Sequence, residues 1–388
     1  MNYIYFTIMY ARKMCILSGL MLLMVSATEA QTAETFSVAT LNVDGLPQKL
    51  LVFNVNADGP GSVGSVRIGK YLAQKDYDMV FLQEDFNYHG ELEAVLEDNY
   101  RLDEWSGDVD VAGHDIDYMH LQNHRFTCDG LMGLWKPAIT ITGKEHVSWT
   151  DGFGKFSHAL DEMVTKGFRR YEVKLASGTE IVVYNMHMDA EDDVDSKSGN
   201  ATKDRKAREG QWQQLCDDIL NKLDTRPVVV VGDLNSYYFR DRVKALFVDA
   251  INNTDKATVA DSWIVLRNDG QYPDYQEDNR MSDDEAELYS GETLDKIICI
   301  NPTGGQQLRP IAYSCDKEGY LHNGKPLGDH YPIAVTFEVV GATGIYAVHA
   351  AEGKANGYYD LQGRRTEQPL KGIYIQRDEK NTRKMIVK

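Results

Sequence analysis

The sequence predicts an α/β fold built on mixed β-sheets. Short apolar runs typical of buried strands alternate along the chain with helical patterns. Several of these strand runs are separated only by tight turns, which makes them antiparallel neighbours. The chain has 388 residues, of which 43% are hydrophobic and 26% charged, so it can bury the core of one large or two ordinary domains.

The elements of the first third follow from local patterns. Residues 36–43 alternate between apolar and polar side chains and predict a strand that ends in a turn at Asp44 and Gly45. Residues 78–84 form an apolar run that ends abruptly in polar residues, which is typical of a strand buried on both faces. Helical patterns at residues 66–74 and 91–98 flank this strand.

The remaining two thirds contain more strands and one long helix. The helix has apolar residues at three- and four-residue steps, at Trp212, Leu215, Ile219 and Leu223, and Pro227 follows it. The turn at Ser177 and Gly178 joins two strands into a hairpin. The predicted strands are residues 130–136, 168–175, 179–188, 228–235, 294–300 and 331–340.

The chain divides into three segments. In residues 1–30, Arg12 and Lys13 precede an apolar run that ends in small residues, the pattern of a secretory signal peptide. A buried N-terminal helix is the competing interpretation. Residues 31–340 form the predicted catalytic domain, and residues 341–388 form a small C-terminal β module. We therefore expect a secreted, periplasmic or surface-exposed protein.

The charge balance limits the partners. The formal net charge is −18, and removing Arg12, Lys13 and Glu29 with the leader leaves about −19. So acidic a chain, without a run of Lys or Arg, is repelled by polyphosphate backbones, which disfavours duplex DNA. Clustered carboxylates suit hard divalent cations such as Mg²⁺ or Ca²⁺. The sequence gives no sign of an obligate protein partner.

The cysteines allow two arrangements. Four remain after export, at Cys128, Cys216, Cys299 and Cys315, so disulfides are permitted. Cys299 and Cys315 lie on successive strand-like runs and are the favoured pair, whereas buried free thiols are an equal alternative. None has the CxxC spacing of a thiolate zinc site.

Polar side chains with chemical potential stand at the ends of five apolar strands. They are Asn42, Glu84, His187, Asp233 with Asn235, and Asp329 with His330. A single polar residue at a strand end is usually a turn former. Strand ends on one rim of a sheet converge, however, and α/β proteins place ligand sites at such rims. Five such ends with carboxylate, amide and imidazole groups predict an active site.

The motifs that contain these residues resemble a known superfamily. TLNVDGL, FLQE, YNMHMDA, VVGDLNS, LDKI and GDHYPI occur in the order typical of endonuclease/exonuclease/phosphatase proteins, across residues 36–340. The resemblance implies a four-layer α/β sandwich, in which two mixed sheets pack face to face with helices outside. It also implies hydrolysis of a phosphodiester with a divalent metal, Mg²⁺ or else Ca²⁺ or Mn²⁺.

The resemblance also implies roles for individual residues. Glu84 would be the principal metal ligand, with Asn42 beside it and Asp329 in support. Asp233 and Asn235 would orient the attacking water and a phosphoryl oxygen. His330 would be the general base, with Asp295 bonded to its other ring nitrogen. His187 would lie on the other side of phosphorus and donate a proton or a hydrogen bond to the leaving oxygen.

The substrate is less constrained. Residues 164–173, VTKGFRRYEV, resemble a strand of the neutral sphingomyelinase branch, which would place Lys166 near the phosphate. This favours cleavage of sphingomyelin to ceramide and phosphocholine at a membrane surface. Many carboxylates among residues 274–287 oppose binding to anionic lipid, so a zwitterionic headgroup is favoured. A nuclease or other phosphodiesterase of the superfamily, and a non-catalytic binding module on this fold, stay open as alternatives.

Two further segments have other interpretations. Histidines and aspartates at residues 114–124 form a polar loop without the HExxH spacing of a zinc site. Residues 358–376 resemble short modules at the ends of exported proteins, some handled by type IX secretion, although a plain β-hairpin is an equal alternative.

Overall fold

The structure is a computed structural model. It describes residues 34–50, 53–54, 56–106, 128–154, 164–191, 200–276 and 291–341, together with short strands within 108–126 and 357–387. The predicted leader, the histidines at 114, 120 and 124 and the acidic residues 277–290 lie outside these described residues. Among the residues it covers, none of the helices combines the length and the apolar character needed to cross a bilayer.

Twelve strands form two six-stranded mixed sheets. In chain order they are β1 (Thr35–Asn42), β2 (Met79–Gln83), β3 (Arg101–Leu102), β4 (Met132–Trp135), β5 (Thr140–Ser148), β6 (Gly167–Lys174), β7 (Glu180–His187), β8 (Val228–Asp233), β9 (Ala257–Asp261), β10 (Asp295–Pro302), β11 (Gln307–Cys315) and β12 (Ile333–Val340). The first sheet has the order β11-β12-β1-β2-β4-β3 and the second β5-β6-β7-β8-β10-β9. Each sheet contains one parallel pair, β1 with β2 and β7 with β8.

Helices cover the outer faces. The main ones are α1 (Gly61–Lys75), α2 (His89–Leu96), α3 (Asn200–Lys222) and α4 (Ser262–Arg267), and a π-helical turn, Lys244–Asp249, continues into Ala250–Asn252. Short two-stranded hairpins pair Lys49–Leu50 with Phe53–Asn54, Asp108–Val109 with Ile116–Asp117, Leu121–Gln122 with Arg125–Phe126, and Leu321–His322 with Lys325–Pro326. Strands Gly357–Tyr359, Arg365–Thr366, Gly372–Arg377 and Thr382–Val387 form a separate four-stranded antiparallel sheet.

Side-chain alternation within the strands builds the layers. In β8, Val229 and Val231 point into the apolar layer between the two sheets, where they join Val38 and Phe81 of the first sheet. Val228 and Val230 point outward and pack against α3 and the π-helical turn. A third apolar cluster joins α1 and α2 to the outer face of the first sheet. The four-layer sandwich predicted from the sequence is therefore confirmed.

Details at the edges differ from the prediction. The predicted strands do not include β3, β5, β9 or β11, which are the four edge strands of the two sheets. Trp212, whose helical pattern predicts a buried position, and Trp263 are core residues of the outer layer.

The cysteines that the sequence left open form no disulfide in the described part of the chain. The favoured Cys299–Cys315 disulfide is therefore not formed, and Cys128, Cys216 and Cys299 are buried. The Cys299 sulfur is buried between the sheets, 3.6 Å from the Leu308 carbonyl oxygen.

Candidate active site

The two parallel strand pairs end at one shared edge. Asn42 is the last residue of β1, and Glu84 directly follows β2. In the second sheet His187 and Asp233 are direct neighbours at the ends of β7 and β8, and Asp295 begins β10 opposite Asp233. The carboxyl ends of parallel neighbours lie at the same edge of a sheet, so the polar residues of each sheet are adjacent.

Asn42 connects the two sheets at this edge. Its side-chain nitrogen donates to Glu84 Oε1 at 3.0 Å and to Asp233 Oδ2 at 3.0 Å. The side chain of Asn42 is buried, so these two charge-assisted bonds are shielded from water. The structure thus brings Asn42, Glu84 and Asp233 together, although 191 positions separate Asn42 from Asp233.

Asp233 lies at the centre of the cluster. Its Oδ2 atom is 3.4 Å from His187 Nε2 and 3.6 Å from His330 Nε2. Its Oδ1 atom accepts the backbone N–H of Asn235 at 3.0 Å. Burial raises the pKa of Asp233, the His330 charge opposes this, and the Asp295 carboxylate adds to the rise.

His330 is held by Asp295. The ring Nδ1 lies 2.7 Å from Asp295 Oδ2, so Nδ1 carries the proton and Nε2 faces Asp233. Burial disfavours the imidazolium, but the carboxylates of Asp295 and Asp233 outweigh it and raise the pKa of His330 well above its ordinary value. Neutral His330, which the general-base role needs, therefore requires an added positive charge nearby.

His187 has the opposite electrostatic environment. Burial lowers its pKa well below the ordinary value, and the charges of Lys166 and His330 lower it further. Lys166 Nζ lies 3.2 Å from His187 Nε2 and 3.3 Å from the Met188 carbonyl oxygen. The lowered pKa favours the neutral form of His187, which suits hydrogen bonding to a leaving oxygen better than donation of a proton.

Three carboxylates form an acidic cluster beside this arrangement, namely Asp44, Glu84 and Asp329. Burial raises the pKa of both Asp44 and Glu84 to about 7, and in each case the Asp329 charge is the next largest cause. Asp44 is buried and Asp329 is exposed, so the cluster extends from the protein interior to the surface. Carboxylates that oppose each other's ionisation are relieved by a cation, and oxygen donors of this kind fit Mg²⁺, Ca²⁺ or Mn²⁺.

Within the described part of the chain, one group of three residues has ligand atoms at the spacing of a metal site. One atom each of Asp233, Asp295 and His330 lies within 4.8 Å of the others. Here, however, the His330 ring nitrogen already bonds to Asp295, which orients the ring. These three residues can therefore hold a water by hydrogen bonds or contribute to a cation site, and the acidic cluster is the other candidate position for a cation.

Asp44 is the site residue that the sequence analysis missed. The Asp-Gly pair predicts a turn, and the turn is present: Asp44 has φ 51° and its backbone N–H donates to Asn42 Oδ1 at 2.9 Å. A signal was nevertheless present. Asp44 follows Asn42 by two positions, just as Asn235 follows Asp233, so the same acid and amide pairing occurs at both strand ends.

The backbone at the site is strained. Glu84 has φ 55° and Asn235 has φ 46°, a conformation that costs non-glycine residues of order 1–3 kcal/mol. The Glu84 carbonyl oxygen accepts the N–H of Gly45 at 3.1 Å, and a Cβ added at Gly45 would lie 2.2 Å from this oxygen. The strands on either side therefore hold Glu84 in place, with no room for a side chain at position 45.

An amide bridge supports the site from below. Gln83 and Asn185 are both fully buried, and Gln83 Nε2 donates to Asn185 Oδ1 at 2.7 Å across the gap between the sheets. Gln83 also accepts from the Thr40 hydroxyl at 3.1 Å. Since Gln83 precedes Glu84 and Asn185 lies two residues before His187, the bridge fixes the spacing of the two halves of the site.

Asn235 is held from both sides. Its side-chain nitrogen donates to the Met188 carbonyl oxygen at 3.1 Å, and its own carbonyl oxygen accepts from Arg240 Nη2 at 3.0 Å. Every site residue that the sequence predicted therefore lies at this one edge. Asp329 and Lys166 border the cluster of Asn42, Glu84, His187, Asp233, Asn235, Asp295 and His330.

Comparisons with known proteins identify similar folds among solved structures. No family model matches the chain, and no curated protein matches it. Among solved structures, TDP2 from D. rerio complexed with a single-strand DNA product is 18% identical with a TM-score of 0.50, covering 79% of this chain and 99% of that one. Beta toxin from Staphylococcus aureus is 19% identical with a TM-score of 0.48, covering 77% and 99%. Sphingomyelinase C from Streptomyces griseocarneus is 18% identical with a TM-score of 0.47, covering 78% and 99%.

At this identity the similarity establishes architecture and nothing finer. The first of these structures shares both the sandwich and nearly its whole length with this chain. The chain therefore has the endonuclease/exonuclease/phosphatase fold that its motifs predict.

Proposed function

We propose that this protein is a divalent-metal-dependent phosphodiesterase. One observation carries the proposal: two imidazoles face the same carboxylate oxygen of Asp233 from opposite sides, 3.4 Å from His187 and 3.6 Å from His330. Strand β8 carries Asp233 between β7, which carries His187, and β10, whose Asp295 holds His330. In-line displacement at phosphorus needs groups on opposite sides of the phosphate, and this arrangement supplies them.

The attacking side consists of Asp233, Asp295 and His330. Asp295 accepts the Nδ1 proton of His330 and so directs the Nε2 lone pair toward a water held beside Asp233. A neutral His330 takes a proton from that water as it attacks phosphorus, a contribution typically worth about 10²–10⁴ in rate.

The leaving side consists of His187 and Lys166. The ammonium group of Lys166 lies 3.2 Å from His187 Nε2, so a positive charge and a neutral imidazole adjoin the same space. Together they would stabilise negative charge that develops on the leaving oxygen.

A divalent cation would be held by Glu84, Asp44 and Asp329, with Asn42 beside them. Its chemistry is that of a Lewis acid, which stabilises charge on the phosphoryl oxygens by several kcal/mol. Its positive charge would also lower the pKa of His330 toward the range in which the ring is neutral.

We propose a choline phospholipid of the sphingomyelin type as the substrate. The support is the KGF segment, whose Lys166 is buried next to His187, and the net charge of −18, which disfavours polyanionic nucleic acid. A zwitterionic headgroup brings no net negative charge to this surface.

The test measures phosphocholine release from sphingomyelin vesicles beside nicking of supercoiled DNA, with EDTA and then with added Mg²⁺, Ca²⁺ or Mn²⁺. We expect metal-dependent phosphocholine release that His330→Ala and Glu84→Ala abolish. His146→Ala, on edge strand β5, serves as the histidine control and should retain activity. DNA nicking without phosphocholine release would contradict the choice of lipid, and full activity in His330→Ala and Glu84→Ala would contradict the mechanism.

We also propose that the protein is exported. The support is the leader pattern in residues 1–30, and N-terminal sequencing of the mature protein tests it. A mature chain that begins near residue 28 or 31 is expected, whereas retention of Met1 would contradict export by cleavage.

A further inference from the structure

Tyr320 carries a buried hydroxyl group that the fold does not use. The side chain is completely buried, and its ring packs edge-on against Tyr71 at a centroid distance of 5.1 Å. Among the residues that the structure describes, the hydroxyl has no hydrogen-bond partner. A buried polar group without a partner costs about 1–3 kcal/mol, and phenylalanine would fill the same space without this cost. The hydroxyl group therefore points to a partner that the protein alone does not supply.

The surroundings of this hydroxyl are those of the acidic cluster. A Cβ added at Gly328, the residue before Asp329, would lie 3.4 Å from the Tyr320 hydroxyl oxygen and 3.6 Å from the Asp44 Cβ. The oxygen thus lies close to Gly328, whose backbone precedes Asp329 and borders the Asp44 side chain. Burial raises the pKa of Tyr320 well above its ordinary value, and the charges of Asp329, Asp44 and Asp295 raise it further, so the phenol stays protonated as a donor.

We propose that the Tyr320 hydroxyl belongs to the divalent-cation site, as a positioning group for its carboxylate ligands. With a cation held by Asp44 and Asp329, either carboxylate would be an acceptor for the phenolic O–H of Tyr320. Tyr320 then acts through the ligands and not on the substrate.

This inference rests on the cation site of the proposed function. It predicts that removal of the hydroxyl has opposite effects on the stability of the metal-free protein and on metal affinity. In the metal-free protein the hydroxyl is a cost, so Tyr320→Phe should leave stability unchanged or increase it. In the metal-bound protein the hydroxyl is a donor, so the same substitution should weaken the binding of the cation. Partners that orient metal ligands typically change metal affinity by about 10–100-fold.

The chain contains a matched control. Tyr100 is also buried, with 3% of its surface exposed, lies in the same apolar cluster as Tyr320, and has a buried hydroxyl with no partner among the described residues. Its neighbouring acidic groups are Asp76 and Asp78 and not those of the site. Tyr100→Phe therefore repeats the chemical change away from the cation.

The experiment titrates Mg²⁺ into the full mature chain by calorimetry after EDTA treatment and gel filtration, and measures Tm in EDTA. We expect Tyr320→Phe to weaken Mg²⁺ binding about tenfold or more with an unchanged or higher Tm in EDTA. Tyr100→Phe should match the wild type in Mg²⁺ affinity. Equal affinity in all three proteins overturns the inference, as does a lower Tm of Tyr320→Phe in EDTA or a wild type that binds no Mg²⁺.

The outcome is separable from that of the proposed function. If the wild type binds Mg²⁺ and Tyr320→Phe weakens it, the inference stands even when no phosphodiester is cleaved. If phosphodiester cleavage is found but Tyr320→Phe leaves the Mg²⁺ affinity unchanged, the function stands and the role of Tyr320 is refuted.

Discussion

The amide bridge between the sheets allows a quantitative test of how the site is supported. Gln83→Leu preserves the approximate volume of the side chain and removes both of its polar ends. Two buried groups then lose their partner: the Thr40 hydroxyl, which donates at 3.1 Å, and Asn185 Oδ1, which accepts at 2.7 Å. Each buried group left unpaired costs about 1–3 kcal/mol, so we expect destabilisation of roughly 2–6 kcal/mol.

The double variant makes the prediction sharper. Asn185→Leu alone removes the donor to the carbonyl oxygens of Leu82 and Met132, both at 3.2 Å. The double variant Gln83→Leu/Asn185→Leu leaves no amide unpaired across the gap. The cost of losing the shared hydrogen bond therefore enters its destabilisation once, whereas each single variant includes it separately. The double variant should therefore be less destabilised than the sum of the two single variants by about 1–2 kcal/mol.

Urea unfolding in EDTA, followed by tryptophan fluorescence, measures the free energies. Gln307→Leu is the control, because Gln307 is a buried amide that bonds only to the Pro302 and Gly305 carbonyl oxygens. Combined with Gln83→Leu it should be additive within about 0.5 kcal/mol. Additivity of Gln83→Leu with Asn185→Leu, or single losses below about 1 kcal/mol, would refute the assigned role of the bridge.

Three further predictions concern the site itself. Asp295→Asn should lower kcat by about 10²–10⁴ and shift the acidic limb of the kcat/KM profile to lower pH, because the pKa of His330 loses its largest upward cause. Gly45→Ala should abolish activity and weaken Mg²⁺ binding, since the new Cβ would lie 2.2 Å from the Glu84 carbonyl oxygen; an activity assay and calorimetric titration of Mg²⁺ measure the two effects. The pKa of Glu84 is about 7 in the folded protein, above its value in the unfolded chain, so stability is lost as pH rises from about 4 to 7. Tm in EDTA should be several degrees higher at pH 5 than at pH 7.5, and Mg²⁺ should reduce the difference.

Controls separate these effects from general ones. Gly341→Ala introduces a Cβ with nothing within 4 Å and should be silent. Asp44→Asn removes one of the paired carboxylates and should reduce the pH dependence of Tm. A Tm in EDTA that rises from pH 5 to 7.5 contradicts the pKa assignment, and an unchanged kcat/KM profile in Asp295→Asn contradicts the role of that carboxylate.

Much of the architecture could be predicted from the sequence, because the central strands are buried on both faces. The four valines Val228–Val231 leave no alternative to a fully covered strand, and the switch to Asp233 marks where that strand reaches the edge. The strands that escaped prediction lie at sheet edges. In β5 side chains such as those of Lys144 and Glu145 face solvent, so the strand has no apolar pattern.

The site could be predicted only in part, because only residues that interrupt an apolar pattern are visible in the sequence. Side chains that end an apolar strand stand out in the sequence, as Glu84 and His187 do. Asp44 lies in a turn where aspartate is common for backbone reasons, which hides its second use beside Asp329. The orphan hydroxyl of Tyr320 has no sequence signature at all, because its meaning depends on which partners the fold fails to provide.

The placement of one parallel strand pair in each sheet separates chemistry from recognition. Asn42, His187 and Asp233 are the last residues of strands whose hydrogen-bond ladders fix them, so the reacting groups share the rigidity of the sheets. Beyond Gly45 and Asn235, which still contact the site, the chain segments that leave these strand ends can change length and composition without moving those groups. Exchange of such segments between proteins of this architecture should thus redirect substrate choice while the hydrolytic machinery is retained.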